Sequence, residues 1–243
     1  MPAASGALSS KPIAVRERLI FALDTPDIDR AKQLVDTLDE HVHFFKVGLE
    51  LFMADGTSAL LGWLGERGKR VFVDLKFFDV PQTVGAAVRQ LRGHNAAFAT
   101  VHGNDAILEA ACAAAGDTGI LAVTALTSLD RGDLDDLGFD TDVASLVLSR
   151  ARRALAIGCA GVISSGLEAA ALRRELGHKL LIVVPGIRPV RNVDDQKRTV
   201  DVEAAFRNGA DYIVVGRPIR DAADPVAAAA DIQRRIHALF APA

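Results

Sequence analysis

Two apolar stretches carry charge where their neighbours are hydrophobic. Lys46 lies in Phe44-Phe45-Lys46-Val47-Gly48, and Asp74 and Lys76 lie in Val71-Phe72-Val73-Asp74-Leu75-Lys76-Phe77-Phe78-Asp79. A charge inside such a run costs free energy unless it is paired. A structural ion-pair network would account for one such residue, whereas several ionisable groups from adjacent segments favour a site. In an extended segment side chains alternate with period two, so Asp74 and Lys76 share a face and Leu75 packs the other way. Asp79 follows in the next loop, where it can reach a neighbouring site or a second subunit. Lys46 can stand beside Asp74. The series Lys46, Asp74, Lys76, Asp79 would hold two ammonium groups charged and a carboxylate ionised against a bound molecule.

The elements that must position these groups alternate along the chain. Short β-branched or aromatic runs at 19–24, 43–48, 70–76, 98–103, 119–125, 160–165, 179–184 and 211–216 predict eight strands. Between them, Ala/Leu-rich stretches near 28–40, 50–67, 80–93, 104–115, 142–157, 166–176, 200–208 and 224–239 predict helices. Asp27 and Asp142 suit N-caps, Pro81 suits a first turn, and Gly116, Gly177 and Gly209 stand where helices should stop. Eight β-then-α units in 243 residues match a (β/α)8 TIM barrel, usually about 250 residues. An open doubly wound sheet is the rival, but the first strand runs into Asp24-Thr25-Pro26-Asp27 without a glycine-rich turn. The expected organisation is a flexible N-terminal extension over 1–14 and a single barrel domain over 15–243.

In such a barrel the C-terminal strand ends converge on one mouth. Those positions hold Asp24, Lys46, Asp74, Lys76, His102, Thr124, Thr127, Ser164, Ser165, Arg188, Gly216 and Arg217. Residues 186–220 carry 7 Lys/Arg against 5 Asp/Glu, a local excess of 2 positive charges in a chain of net charge −3. That corner suits a small phosphate dianion, because loops after strands seven and eight of barrels commonly bind phosphate. The overall charge leaves no basic face for nucleic acid or anionic lipid. Cys112 and Cys159, each among small or apolar neighbours, form no Cys-x-x-Cys pair and read as buried spacers in a reducing compartment. No apolar run approaches the roughly 20 residues of a spanning helix, and residues 1–14 lack a signal pattern, so a soluble cytoplasmic protein is expected. Six Asp against one Arg between Leu129 and Asp142 lack calcium-loop spacing and read as a solvated loop.

Seven segments in order, FALD (21–24), FKVG (45–48), DLKFFDVPQT (74–83), VTALTS (123–128), PGIRP (185–189), DDQKR (194–198) and GRPI (216–219), resemble the orotidine 5′-monophosphate decarboxylase family. The resemblance covers nearly the whole chain. It departs at Phe78, where many relatives have His, and at Gln82, where many have Asn.

The resemblance implies decarboxylation of orotidine 5′-monophosphate to uridine 5′-monophosphate and CO2 in pyrimidine biosynthesis, with no metal or other cofactor. It implies that Lys46, Asp74, Lys76 and Asp79 are catalytic, with Lys76 stabilising and then protonating the C6 carbanion. Asp24 would contact the ribose, Thr127 the pyrimidine edge, and Gln196 and Arg217 the phosphate, with Arg188 and Gly216 in support. Asp79 and Thr83 would be donated across a homodimer with shared sites. The runner-up is a Mg-dependent sugar-phosphate decarboxylase or aldolase of the same barrel superfamily; those relatives tend to carry Glu at the place of Lys46. From another class, a non-catalytic phosphate-binding barrel would leave the buried charges without use.

Overall fold

The computed structural model describes residues 8–187 and 200–241. Eight parallel strands close on themselves in sequence order, β1 (Leu19–Ala22), β2 (Phe44–Gly48), β3 (Arg70–Phe77), β4 (Ala96–Val101), β5 (Gly119–Val123), β6 (Gly161–Ile163), β7 (Leu181–Val184) and β8 (Tyr212–Val215), with β8 pairing back onto β1. β1, β2, β6 and β8 are buried along their whole length and the others along most of it except β3, as strands covered on both faces must be, which explains their apolar runs.

The helices outside are α1 (Ile28–Thr37), α2 (Leu49–Phe52), α3 (Thr57–Glu66), α4 (Pro81–Gln90), α5 (Asp105–Ala114), α6 (Arg131–Asp136), α7 (Val143–Ile157), α8 (Ala169–Leu176), α9 (Val202–Arg207), α10 (Arg217–Arg220) and α11 (Pro225–Phe240). Asp27 and Asp142 cap α1 and α7 by accepting the first-turn amides of Arg30 and Ser145, and Pro81 opens α4, as the sequence predicts. The single helix expected over 50–67 is two. The chain breaks at Gly56, whose φ of 92° is left-handed, and the Thr57 hydroxyl, within 2.7 Å of the Leu51 carbonyl and 2.8 Å of the Ala54 carbonyl, closes the break. The Asp-rich stretch, read as a loop, contains α6, because Asp130 and Asp133 form a reciprocal capping box. No described helix is long and apolar enough to cross a membrane.

Two apolar layers flank the strands. One lies between barrel and helices; the other fills the barrel interior with Ile20, Phe44, Phe72, Phe98, Leu121 and Tyr212 among others. Phe44, Phe98 and Tyr212 form a floor with ring centroids 5.4–5.8 Å apart. The floor separates the interior of the mouth from the N-terminal strand ends. Register places Ala22, Lys46, Phe72 and Phe98 in one inward row and Gly48 beside Asp74 in the row above.

The expected loose extension over 1–14 is corrected for its described part. Residues 8–14 pack beneath the barrel, where the wholly buried Asp211 accepts from the Ser9 hydroxyl, the Lys11 ammonium at 3.4 Å, the Arg173 guanidinium and the Ile182 amide at 2.8 Å. Sequence alone gives no sign of this, because the partners lie about 200 positions apart. Replacing Asp211 by Ala strands the Arg173 and Lys11 charges. The expected cost is about 3–5 kcal/mol of unfolding free energy, measured by urea denaturation; an unchanged midpoint would show that the strut carries no stability.

Candidate active site

A cavity of about 420 Å³ opens at the C-terminal strand ends, with Asp24, Lys46, Asp74, Lys76, Arg217 and Arg220 supplying its charges. Lys46 is rooted one row below Asp74 and its side chain climbs past Gly48. There its Nζ stands 3.1 Å from Asp24 Oδ1 and 3.5 Å from Asp74 Oδ2. A Cβ on Gly48 would sit 3.0 Å from that ammonium and 3.3 Å from Asp24 Oδ1, so any larger residue would crowd the ion pair. Lys76 Nζ donates to Asp74 Oδ1 at 2.9 Å. Asp74 therefore lies between two ammonium groups. Burial pushes its carboxyl up, but the charges of Lys46 and Lys76, with hydrogen bonds from Lys76 and Thr100, outweigh this and hold it below the usual carboxylate range.

The strand does not bring Asp74 and Lys76 together by simple alternation. Between Val73 and Phe77, β3 takes four steps while β4 takes two, from Ala99 to Val101, so β3 bulges at residues 74–76. Within the bulge Lys76 adopts φ 50°, left-handed backbone that costs a residue with a Cβ about 1–3 kcal/mol and concentrates at functional sites. The Lys76 amide, out of the ladder, donates to Thr100 Oγ1 at 2.9 Å, and that hydroxyl donates to Asp74 Oδ1 at 2.8 Å. Thr100 escaped the sequence reading although counting by two from the inward Phe98 reaches it.

Thr127, Gly216 and Arg217 line the cavity as expected. Arg220, one helical turn after Arg217, joins them and donates to the Asp24 carbonyl at 2.7 Å. Asp79 and Thr83 are exposed and lie outside this chain's own cavity; Asp79 Oδ1 accepts the Val80 amide at 2.6 Å. Arg188 and Gln196 fall outside the described residues.

Four other strand-end groups turn away from the mouth. His102 lines a side groove with Phe78 and Arg150, its ring edge-on to Phe78 at 5.2 Å, and burial together with the charges of Arg150 and Lys76 pushes its pKa down. The Thr124 hydroxyl donates to the Ile163 carbonyl, Ser164 is buried, and Ser165 Oγ accepts the Leu167 amide. Among the described residues no three His, Cys, Asp or Glu side chains group as metal ligands. Asp24 and Asp74, the two carboxylates of the cavity, both face the Lys46 ammonium. The arrangement can therefore do one thing well: hold a fixed cation, Lys76, against charge developing on a bound anion.

Known proteins resemble the chain along nearly its whole length. The family model described as "Orotidine 5'-phosphate decarboxylase / HUMPS family" matches residues 17–232. A Methylococcus capsulatus protein named orotidine 5'-phosphate decarboxylase is 64% identical over 236 residues, covering 96% of this chain and 98% of that protein. A Xanthomonas campestris protein of the same name is 52% identical over 234 residues, covering 95% and 96%. The crystal structure of orotidine 5'-phosphate decarboxylase from Lactobacillus acidophilus superposes with a TM-score of 0.80 at 33% identity, covering 90% of this chain and 99% of that one. By sequence and by fold, the chain belongs to the orotidine 5'-phosphate decarboxylase / HUMPS family.

Proposed function

We propose that this protein decarboxylates orotidine 5′-monophosphate to uridine 5′-monophosphate, the closing step of UMP synthesis, using its own side chains alone. The observation that carries the reading is the Lys46–Asp74–Lys76 array at the base of the cavity. The bond from C6 to the carboxylate breaks, CO2 leaves, and the electron pair stays on C6, where the pyrimidine offers no adjacent sink. Lys76 stabilises that pair more strongly than the delocalised starting carboxylate, and then gives C6 its proton. Solvent returns a proton to the amine.

Asp74 holds Lys76 in place through the 2.9 Å contact and puts a negative charge beside the departing carboxylate. Two like charges at about 4 Å repel by roughly 4 kcal/mol at an effective dielectric of 20, relieved as CO2 departs. Lys46 keeps Asp74 ionised, and Asp24 meets the ribose. Arg217, with Gly216 and the Arg188 and Gln196 expected from the resemblance, binds phosphate, so that remote binding energy lowers the barrier. Thr127 faces the pyrimidine edge.

The family also contains HUMPS members, for which a metal would have to sit among the same carboxylates. Lys46 supports the metal-free reading, because its ammonium already faces both Asp24 and Asp74. The shared-site homodimer is part of the same proposal. Phe78 and Val80, 69% and 62% exposed, flank Asp79 and give a second copy an apolar surface to cover.

Loss of substrate absorbance tests the chemistry. In excess chelator the wild type should retain turnover, while Lys76→Ala should lose at least about a thousandfold with its circular dichroism unchanged. Near-normal turnover in that variant would overturn the mechanism, and loss in chelator would revive the metal-dependent reading. Mixing Lys76→Ala with Asp79→Ala subunits should restore activity in heterodimers that hold one intact site. Heterodimers that form yet stay inactive would remove Asp79 from the partner's site.

A further inference from the structure

We infer that Thr100 is a positioning residue for the reaction, its hydroxyl locking the β3 bulge so that Asp74 and Lys76 meet in one fixed geometry. The inference rests on the decarboxylase reading above and adds a residue to it.

A threonine hydroxyl has one proton to give and can rotate freely about its C–O bond. Here rotation is stopped from both sides. The Lys76 amide fills an acceptor position of Oγ1 at 2.9 Å, and Asp74 Oδ1, the carboxylate oxygen it bonds among the described residues, lies 2.8 Å away. The proton must therefore point at Asp74. Thr100 is fully buried on β4, so water does not compete for either bond. Asp74 Oδ1 thus accepts from Lys76 Nζ and Thr100 Oγ1, while Oδ2 faces Lys46 Nζ. One hydroxyl fixes both the backbone of the lysine and the side chain of the aspartate that orients its ammonium.

The bulge makes this necessary. In a regular strand the Lys76 amide would face β2, the side to which the Arg70 amide donates; the bulge swings it toward β4, away from any ladder carbonyl, and leaves a left-handed residue at the position where placement matters most. Thr100 supplies the missing acceptor. Without it, a buried amide and a carboxylate oxygen each lose a partner, and the bulge is free to relax toward more relaxed backbone.

The charged groups facing the cavity around Asp74 are Asp24 from the end of β1, Lys46 from β2, Lys76 from β3, and Arg217 and Arg220 beyond β8. β4 contributes only the neutral hydroxyl to Asp74. Its removal therefore takes a hydrogen bond from the ionised carboxyl and leaves the charges in place. The carboxyl should protonate at higher pH, and any acid limb of kcat set by Asp74 should move upward.

The test compares wild type, Thr100→Val and Thr100→Ser by steady-state kinetics on orotidine 5′-monophosphate, with thermal melts alongside. Thr100→Val, which keeps shape and loses the hydroxyl, should lower kcat roughly tenfold to a hundredfold with KM within about threefold, a loss the size of one hydrogen bond to a charged group. Thr100→Ser should keep kcat within about threefold of wild type. A fall in melting temperature with kcat unchanged would reduce Thr100 to a structural residue, and equal losses in Val and Ser would sink the hydroxyl argument. Should Thr100→Val not fold, Thr100→Ala against Thr100→Ser makes the same comparison with smaller side chains. An inactive wild type would instead overturn the decarboxylase reading, so the two failures are separable.

Discussion

Asp74 cannot be buried as an anion unless cations come with it, and the upper half of the barrel is built around that requirement. Two charges taken from water into a protein interior are recovered only by close, well-directed partners. Lys46 rises from the row beneath past the uncrowded Gly48, and β3 bulges to swing Lys76 round to the other carboxylate oxygen. With Asp24 on the far side of Lys46, two carboxylates and two ammonium groups balance in the cavity before anything binds.

The lower half meets the opposite demand. The Phe44, Phe98 and Tyr212 floor excludes water, and the Asp211 cluster ties residues 8–14, β7 and α8 beneath it. These contacts hold the strands in register at a distance from the mouth. A left-handed Lys76 persists only where the surrounding structure over-determines it.

What could be read from the sequence follows from how local each signal is. The eight strands were legible because burial on both faces writes itself as a continuous apolar run, and the caps at Asp27 and Asp142 because capping acts within one turn. The charged residues stood out for the same reason, as exceptions inside such runs. The bulge was not legible: period-two counting put Asp74 and Lys76 on one face for a regular strand, while the structure joins them through an irregular one. His102, counted among the residues facing the mouth, lines the groove beside Phe78 instead. Thr100 was hidden because a threonine in an apolar strand is ordinary. Only its two hydrogen bonds, to residues more than twenty positions away, mark it.

A carbanion with no electron sink places an unusual demand on a protein. A lysine free in water would have to be ordered and desolvated while the bond breaks, which adds to the barrier. In this chain the ordering is done by folding: Asp74 fixes the ammonium, Thr100 fixes the backbone beneath it, and Lys46 fixes Asp74. Each link is a hydrogen bond or ion pair formed before any substrate arrives. The same chain of contacts bears on which branch of the family the protein resembles in its chemistry. A divalent cation seated between Asp24 and Asp74 would have to displace Lys46, and Lys46 is buried where its charge has nowhere else to go. The residue that makes the array stable is thus also the residue that argues for catalysis by side chains.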